Sequence, residues 1–283
     1  MTQPTVALIT NIRACHLSGL VSLQGISDEK SAIYRHLQPG GIAVLNQDED
    51  FVDQWQQQLP ADVKQLSYAI GAGQQTDLSL EVTQRDVLGT QAILRYQQQQ
   101  IALDCPLFTR HVDENMIAAA AAAVAIGIEL NDIAMGIQQA HAAKGRFQYQ
   151  MMPQGWSLID DTYNASPSSV DSALQTLSDL DGTKVFVMSN MSELGEMADR
   201  YHQQMGQWIV QANIDHVLLY GDFPLLKQTV EHCPHAQYFD DKADLVAALL
   251  PLLKANTHLL IKGSRANQME QVIDQIMEAQ LVC

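Results

Sequence analysis

The chain has 283 residues, 47% of them apolar and 17% charged, enough to bury one large core and more readily two, since single cores seldom exceed roughly 250 residues. Sixteen Lys and Arg against 32 Asp and Glu leave a formal charge of −16, which argues against a nucleic-acid or anionic-membrane partner, because those surfaces demand clustered cations. The four cysteines, Cys15, Cys105, Cys233 and Cys283, form no C-x-x-C pair, so neither a disulfide framework nor a zinc site is suggested and a reducing cytoplasm fits.

The first twelve residues lack the basic and long apolar regions of a signal peptide. The longest apolar run, 117–128, is too short for the roughly twenty residues of a membrane span. Residues 5–12 (TVALITNI) read as a buried β-branched strand, and 27–37 as a helix carrying Lys30 with Ser27 as its N-cap. Pro39, Gly40 and Gly41 stop that helix before a second buried strand at 42–46, a βαβ unit that calls for a parallel sheet. Short alternating segments between 66 and 103, such as 78–82 and 92–96, predict an antiparallel hairpin region. An alanine-rich helix over 115–128 and a second over 129–143 lead to Lys144, Gly145 and Arg146, a candidate boundary between domains.

Beyond that boundary strands and helices alternate. Strands are predicted at 157–159, 184–188, 216–220 and 258–262, and helices at 168–180, 199–212, 241–253 and from 267 to about 279. This is the pattern of a doubly wound α/β domain, whose ligand edge lies at the carboxyl ends of its strands. Three polar stretches fall at such ends: 159–167 (IDDTYNASP), 188–195 (MSNMSELG) and 262–265 (KGSR).

Taken together, IDDTYNASPSSVDSAL (159–174), MSNMSELGE (188–196) and IKGSR (261–265) resemble the carboxyl-terminal domain of the Mur ligases. The first half is similar to the same family, through ITNIRACHLSGLVSLQGISDEKSAIY (9–34) and RHVDENMIAAAAA (110–122), so the resemblance spans essentially the whole chain in the family's own order. It implies an α/β fold in which an incomplete central P-loop-type ATPase domain (1–145) precedes a doubly wound Rossmann-like carboxyl-terminal domain (146–283). The implied reaction is ATP-dependent amide-bond formation through an acyl phosphate, with D-Ala-D-Ala and UDP-MurNAc-tripeptide as substrates and ATP and Mg2+ as cofactors.

Residue by residue, the resemblance makes Lys30, as a carbamylated lysine, and His16 the holders of Mg2+. Carbamylation gives lysine the hard oxygen donor that magnesium prefers. It also makes Asn115 the reader of adenine, Arg146 a phosphate contact and Asp161 a contact to ribose hydroxyls. Asn164, Ser264 and Arg265 are the candidates for the dipeptide, since a strand end that opens a helix suits a carboxylate. Without the resemblance, the same residue types read as a solvated helix lysine, a loop histidine, a linker cation, a cap acid near Ser168 and, for Ser264, an N-cap.

No G-x-x-x-x-G-K-[ST] phosphate loop occurs in the 283 residues. The family carries that loop upstream of the ITNI strand, together with an amino-terminal domain for the UDP moiety. The expectation is therefore a chain inactive alone, with a separate amino-terminal fragment as partner. One half of a split enzyme and a non-catalytic binding or regulatory protein stand as alternatives.

Overall fold

The structure, a computed structural model, describes residues 3–14, 17–20, 22–73 and 75–281, without the side chains of 17, 18, 110 and 281. Two compact units result: residues 1–13 with 22–141, and residues 14–21 with 142–283. No helix among the described residues is long and apolar enough to cross a membrane.

The first half of the chain runs β1 (Val6–Leu8), α1 (Leu17–Leu20), α2 (Leu23–Arg35), β2 (Ile42–Asn46), α3 (Val52–Gln57), β3 (Lys64–Ile70), β4 (Leu78–Asp86), β5 (Gly89–Tyr96), β6 (Gln99–Cys105), α4 (Arg110–Ala125) and α5 (Leu130–Gln138). Apart from α1, whose residues fall in the second unit, these elements build the first unit. Its sheet has the order β1-β2-β3-β4-β5-β6. The first four strands are parallel, and β4, β5 and β6 form an antiparallel meander.

Only part of the hairpin expectation for 66–103 therefore holds. Residues 64–70 pair parallel with β2, because α3 supplies the crossover that returns the chain in the same direction. The N-cap of α2 also differs from the one expected. Ser22 Oγ accepts the Gly25 N–H at 3.1 Å, whereas Ser27 is fully buried and its Oγ accepts the Trp55 indole N–H at 2.9 Å. α4 begins at Arg110 behind Thr109, five residues before the predicted start. Its buried Ala118, Ala120 and Ala121 let the helix lie close on Tyr68, Leu78 and Leu80 of the sheet.

The second unit continues with β7 (Gln148–Met151), β8 (Ser157–Asp161), α6 (Pro167–Ser178), β9 (Thr183–Ser189), α7 (Ala198–Gln211), β10 (His216–Tyr220), α8 (Phe223–His232), β11 (Ala236–Phe239), α9 (Lys242–Leu249), β12 (Thr257–Lys262) and α10 (Glu270–Leu281). The strand order is β11-β10-β9-β12-β8-β7, with only β7 antiparallel. One face packs against α6, α7 and α8 through Val170, Leu174, Met205, Ile209 and Leu226. The other packs against α9 and α10 through Leu245, Leu249, Met269, Val272 and Ile276. Helices on both faces make the domain doubly wound, as predicted, and all six residues of β12 are buried, which suits a central parallel strand. The elements α8 and β11 fill 221–240, a stretch the sequence reading leaves unassigned. α6 starts with Pro167 behind Ser166, whose backbone N–H and hydroxyl both engage the Ser169 hydroxyl, so the polar loop ends abruptly at a helix.

Candidate functional site

The carboxyl edge of the second sheet is built by neighbouring strands. Asp161 ends β8 and Lys262 ends β12, and the parallel register sets the two residues side by side. Lys262 Nζ lies 2.5 Å from Asp161 Oδ2, with 2% and 12% of the two side chains exposed. Burial pushes the Asp161 carboxyl above the usual carboxylate range, against the opposing pull of the Lys262 ammonium. The ammonium also donates to the Asn164 carbonyl at 3.0 Å. The second Asp161 oxygen, Oδ1, accepts the Phe147 N–H at 3.2 Å.

That last bond fastens the segment leading into the domain. Phe147 has φ +52° and Gly145 φ +70°, so the chain makes a tight turn around Arg146. Gly145 is required there, because a Cβ would come within 3.0 Å of the Tyr163 nitrogen. The Tyr163 N–H donates to the Gly145 carbonyl at 3.0 Å, and the Arg146 guanidinium carbon sits 4.0 Å over the Tyr163 ring.

A second group of polar side chains caps β9. Ser189 Oγ accepts the Ser264 N–H at 3.2 Å, and Asn267 Nδ2 donates to Asn190 Oδ1 at 2.9 Å and to Ser264 Oγ at 3.0 Å. Asn190 Oδ1 also takes the Asp222 N–H at 3.2 Å. Gly263 allows this closeness, since a Cβ would collide with the Ser189 hydroxyl and stand 2.6 Å from Met269 Cγ. Below the loop, buried His202 accepts the Met191 N–H on Nε2 and donates from Nδ1 to the Ala198 carbonyl, which fixes a neutral tautomer; burial holds its pKa below the ordinary value.

Among the predicted residues, the structure brings Arg146, Asp161, Asn164 and Ser264 to this one edge. Asp161, expected to meet ribose hydroxyls, already accepts one bond on each oxygen and is 8% exposed, so burial leaves little of the carboxylate open to such a contact. It does not cap α6, where Ser166 serves. Ser264 is buried at the N-cap position of a 3-10 turn (Arg265–Asn267), not of the terminal helix, which begins at Glu270 instead of 267. Arg265 points outward and pairs with Glu270 at 2.8 Å. Lys262, Asn267 and His202 were not singled out by sequence as site residues; for Lys262 the available signal was its place at a strand end in the stretch 262–265, whereas Asn267 and His202 lie outside the quoted polar stretches.

In the first unit, Lys30 is exposed and donates to the Asn11 carbonyl at 3.2 Å, and Asn115 is exposed on α4. His16 lies outside the described residues. Near Lys30, Arg13 pairs with Glu49 at 2.5 Å and with Glu114 at 3.5 Å, while Asn11 Nδ2 donates to Glu114 at 3.0 Å. The hydroxyl of buried Tyr68 has no hydrogen-bond partner among the described residues. No group of three His, Cys, Asp or Glu suited to a metal occurs among the described residues.

Residues 1–123 match the Mur ligase middle domain, and residues 145–265 match the Mur ligase glutamate ligase domain. The UDP-N-acetylmuramoyl-tripeptide–D-alanyl-D-alanine ligase of Haemophilus influenzae is 33% identical over 280 residues, covering 96% of this chain and 59% of that protein. The Escherichia coli protein of the same name is 31% identical, with 98% and 61% covered. The crystal structure of MurF from Acinetobacter baumannii superposes with a TM-score of 0.88 at 31% identity, covering 98% of this chain and 60% of that one. The chain thus spans 59% and 61% of the length of these two curated relatives.

Proposed function

The chain belongs to the Mur ligase family, and on that footing we propose that its residues serve the ATP-dependent addition of D-Ala-D-Ala to UDP-MurNAc-tripeptide in peptidoglycan precursor synthesis. The observation that carries this reading is the convergence of Arg146, Asn164 and Ser264 on the carboxyl edge of one doubly wound sheet, where open α/β sheets bind ligands. The name of the relatives supports the substrates.

The residues fit the cofactors in their chemistry. The exposed Asn115 amide can pair with both a donor and an acceptor on an adenine edge. Arg146 stacks on Tyr163 by one face, which leaves the rim of its guanidinium open to a phosphate. Lys30 as an ammonium offers only donors; carbamylated, its exposed end would offer Mg2+ the oxygen ligands it prefers. When bound, ATP and Mg2+ supply the phosphoryl group that activates the tripeptide carboxylate and the charge that stabilises its transfer. Asn164, Ser264 and Arg265 would orient the dipeptide so that its amine meets the activated carbonyl.

The 283 residues contain no glycine phosphate loop, so unaided turnover is not expected of them. Mixing the chain with a fragment carrying that loop should restore ADP release dependent on both UDP-MurNAc-tripeptide and D-Ala-D-Ala. Persistent inactivity of a well-folded mixture overturns the ligase reading. A second reading, binding without turnover, rests on the edge formed by Asn164 and Ser264 alone; calorimetric heat with D-Ala-D-Ala alone would support it, and no heat would count against it.

A further inference from the structure

A lysine with 2% of its side chain exposed is unusual, because long charged side chains almost always keep their ends in water. Replacing a buried ion pair by apolar residues is often neutral or stabilising, so net stability does not account for this one. What the pair does is geometric. An ammonium has three donors, and Lys262 directs two of them to one stretch far back in sequence: Asp161 Oδ2, 101 residues away, and the Asn164 carbonyl, 98 residues away.

From Asp161 the connection runs on through Oδ1 to the Phe147 N–H. Phe147 has a left-handed backbone that a residue with a Cβ adopts only where its surroundings over-determine it. That turn carries Arg146 onto the Tyr163 ring. The other branch sets the Asn164 backbone, whose side-chain Oδ1 turns back to the Ala165 N–H at 2.9 Å.

We infer that Lys262 is the positioning residue of this edge: through Asp161 it fixes the turn that holds Arg146 over Tyr163, and directly it fixes Asn164. The inference rests on the proposed ligase reading only for what Arg146 and Asn164 meet; the positioning itself can be read without any ligand. It assigns Asp161 a structural duty between Lys262 and Phe147 in place of an open carboxylate.

The full 283-residue chain carries the test. The Tyr163 ring shifts the Arg146 side-chain methylene protons upfield in proton NMR, and the Phe147 amide is protected from exchange by its bond to Asp161. In Lys262→Met, of similar length and without charge, the upfield shift should collapse and Phe147 exchange should rise at least about tenfold, while β9 amides keep their protection. Lys262→Arg, which can still donate to a carboxylate, should recover part of both signals. A folded Lys262→Met protein with both signals unchanged overturns the inference.

Should Lys262→Met fail to fold, Asp161→Asn decides: Lys262 and Phe147 meet different oxygens of Asp161, and the amide sets an NH2 donor in place of one of them, so unchanged signals there overturn the inference equally. Titration with ADP and Mg2+ separates the two readings. Collapse of the signals in Lys262→Met supports the positioning even if the unsubstituted chain binds no nucleotide, a result that would count against the ligase reading alone.

Discussion

Replacing Asp161 with alanine leaves the Lys262 ammonium at 2% side-chain exposure with the Asn164 carbonyl as its remaining partner. Removing one member of a buried pair costs about 3–5 kcal/mol, because the other charge stays desolvated. The lost acceptor for Phe147 adds about 1 kcal/mol at most, since that residue is only half-buried. Replacing both residues, as Asp161→Leu with Lys262→Met, removes both desolvation costs along with the attraction, and the double variant should lie within about 2 kcal/mol of the parent. Two compact units make a single melting temperature ill-defined, so the loss is best measured as opening free energies from hydrogen exchange at β8, β9 and β12. A loss under about 1 kcal/mol for Asp161→Ala, or a double variant less stable than Asp161→Ala, would refute the reasoning.

Gly263→Ala should destabilise the second unit by about 1–3 kcal/mol, because its Cβ meets the Ser189 side chain and Met269; adding Ser189→Gly should recover much of this, and no recovery would place the strain elsewhere. Burial holds the His202 imidazole below its ordinary 6.5, so the folded chain takes up that proton at lower pH than the unfolded chain does. The stability it contributes is whole above pH 6.5 and is lost as the pH falls through the folded value, with Asp199 and Asp222 limiting the shift. His202→Gln should flatten the loss of second-unit stability as the pH falls below 6.5, and an unaltered slope would show that other groups titrate there. Tyr68→Phe should stabilise the first unit by about 1 kcal/mol, because the buried hydroxyl it removes has no partner among the described residues; a loss of more than about 1 kcal/mol in denaturant unfolding would contradict this.

Apolar runs such as 184–188 and 258–262 gave the second sheet away, since strands buried on both faces need no alternation. AQYF of β11, at the sheet edge and only partly buried, lacks that signal, and α8 behind it was passed over with it. In the first unit, the alternation in KQLSYAI reflects a strand whose start is exposed and whose end is buried, and the same pattern fits a hairpin; only the α3 crossover settles the direction. Ser27 looked like a cap because Ser precedes Asp and Glu, but a hydroxyl can equally serve a buried indole, and Trp55 lies 28 residues away. Asn164 and Ser264 stood out as edge residues because motif and strand end coincide there, whereas Arg146 lies in the turn before β7 and had only its motif. Lys262 did not stand out: a lysine reads as solvated by default, and its partner lies 101 residues back.

The strand that bears Lys262 is the last in the chain, yet it lies between β9 and β8 in the middle of its sheet. A nascent chain leaves the ribosome amino end first, so until residues 257–262 emerge, β8 with β7 and β9 with β10 and β11 are two separate ribbons with a gap between them. Assembly of the sheet and completion of the Lys262, Gly263 and Ser264 edge then become one event, after every other strand of that sheet has emerged. A chain halted at Asn256 would hold most of the domain's mass and none of its centre, and would expose to chaperones and proteases the flanks that β12 normally covers.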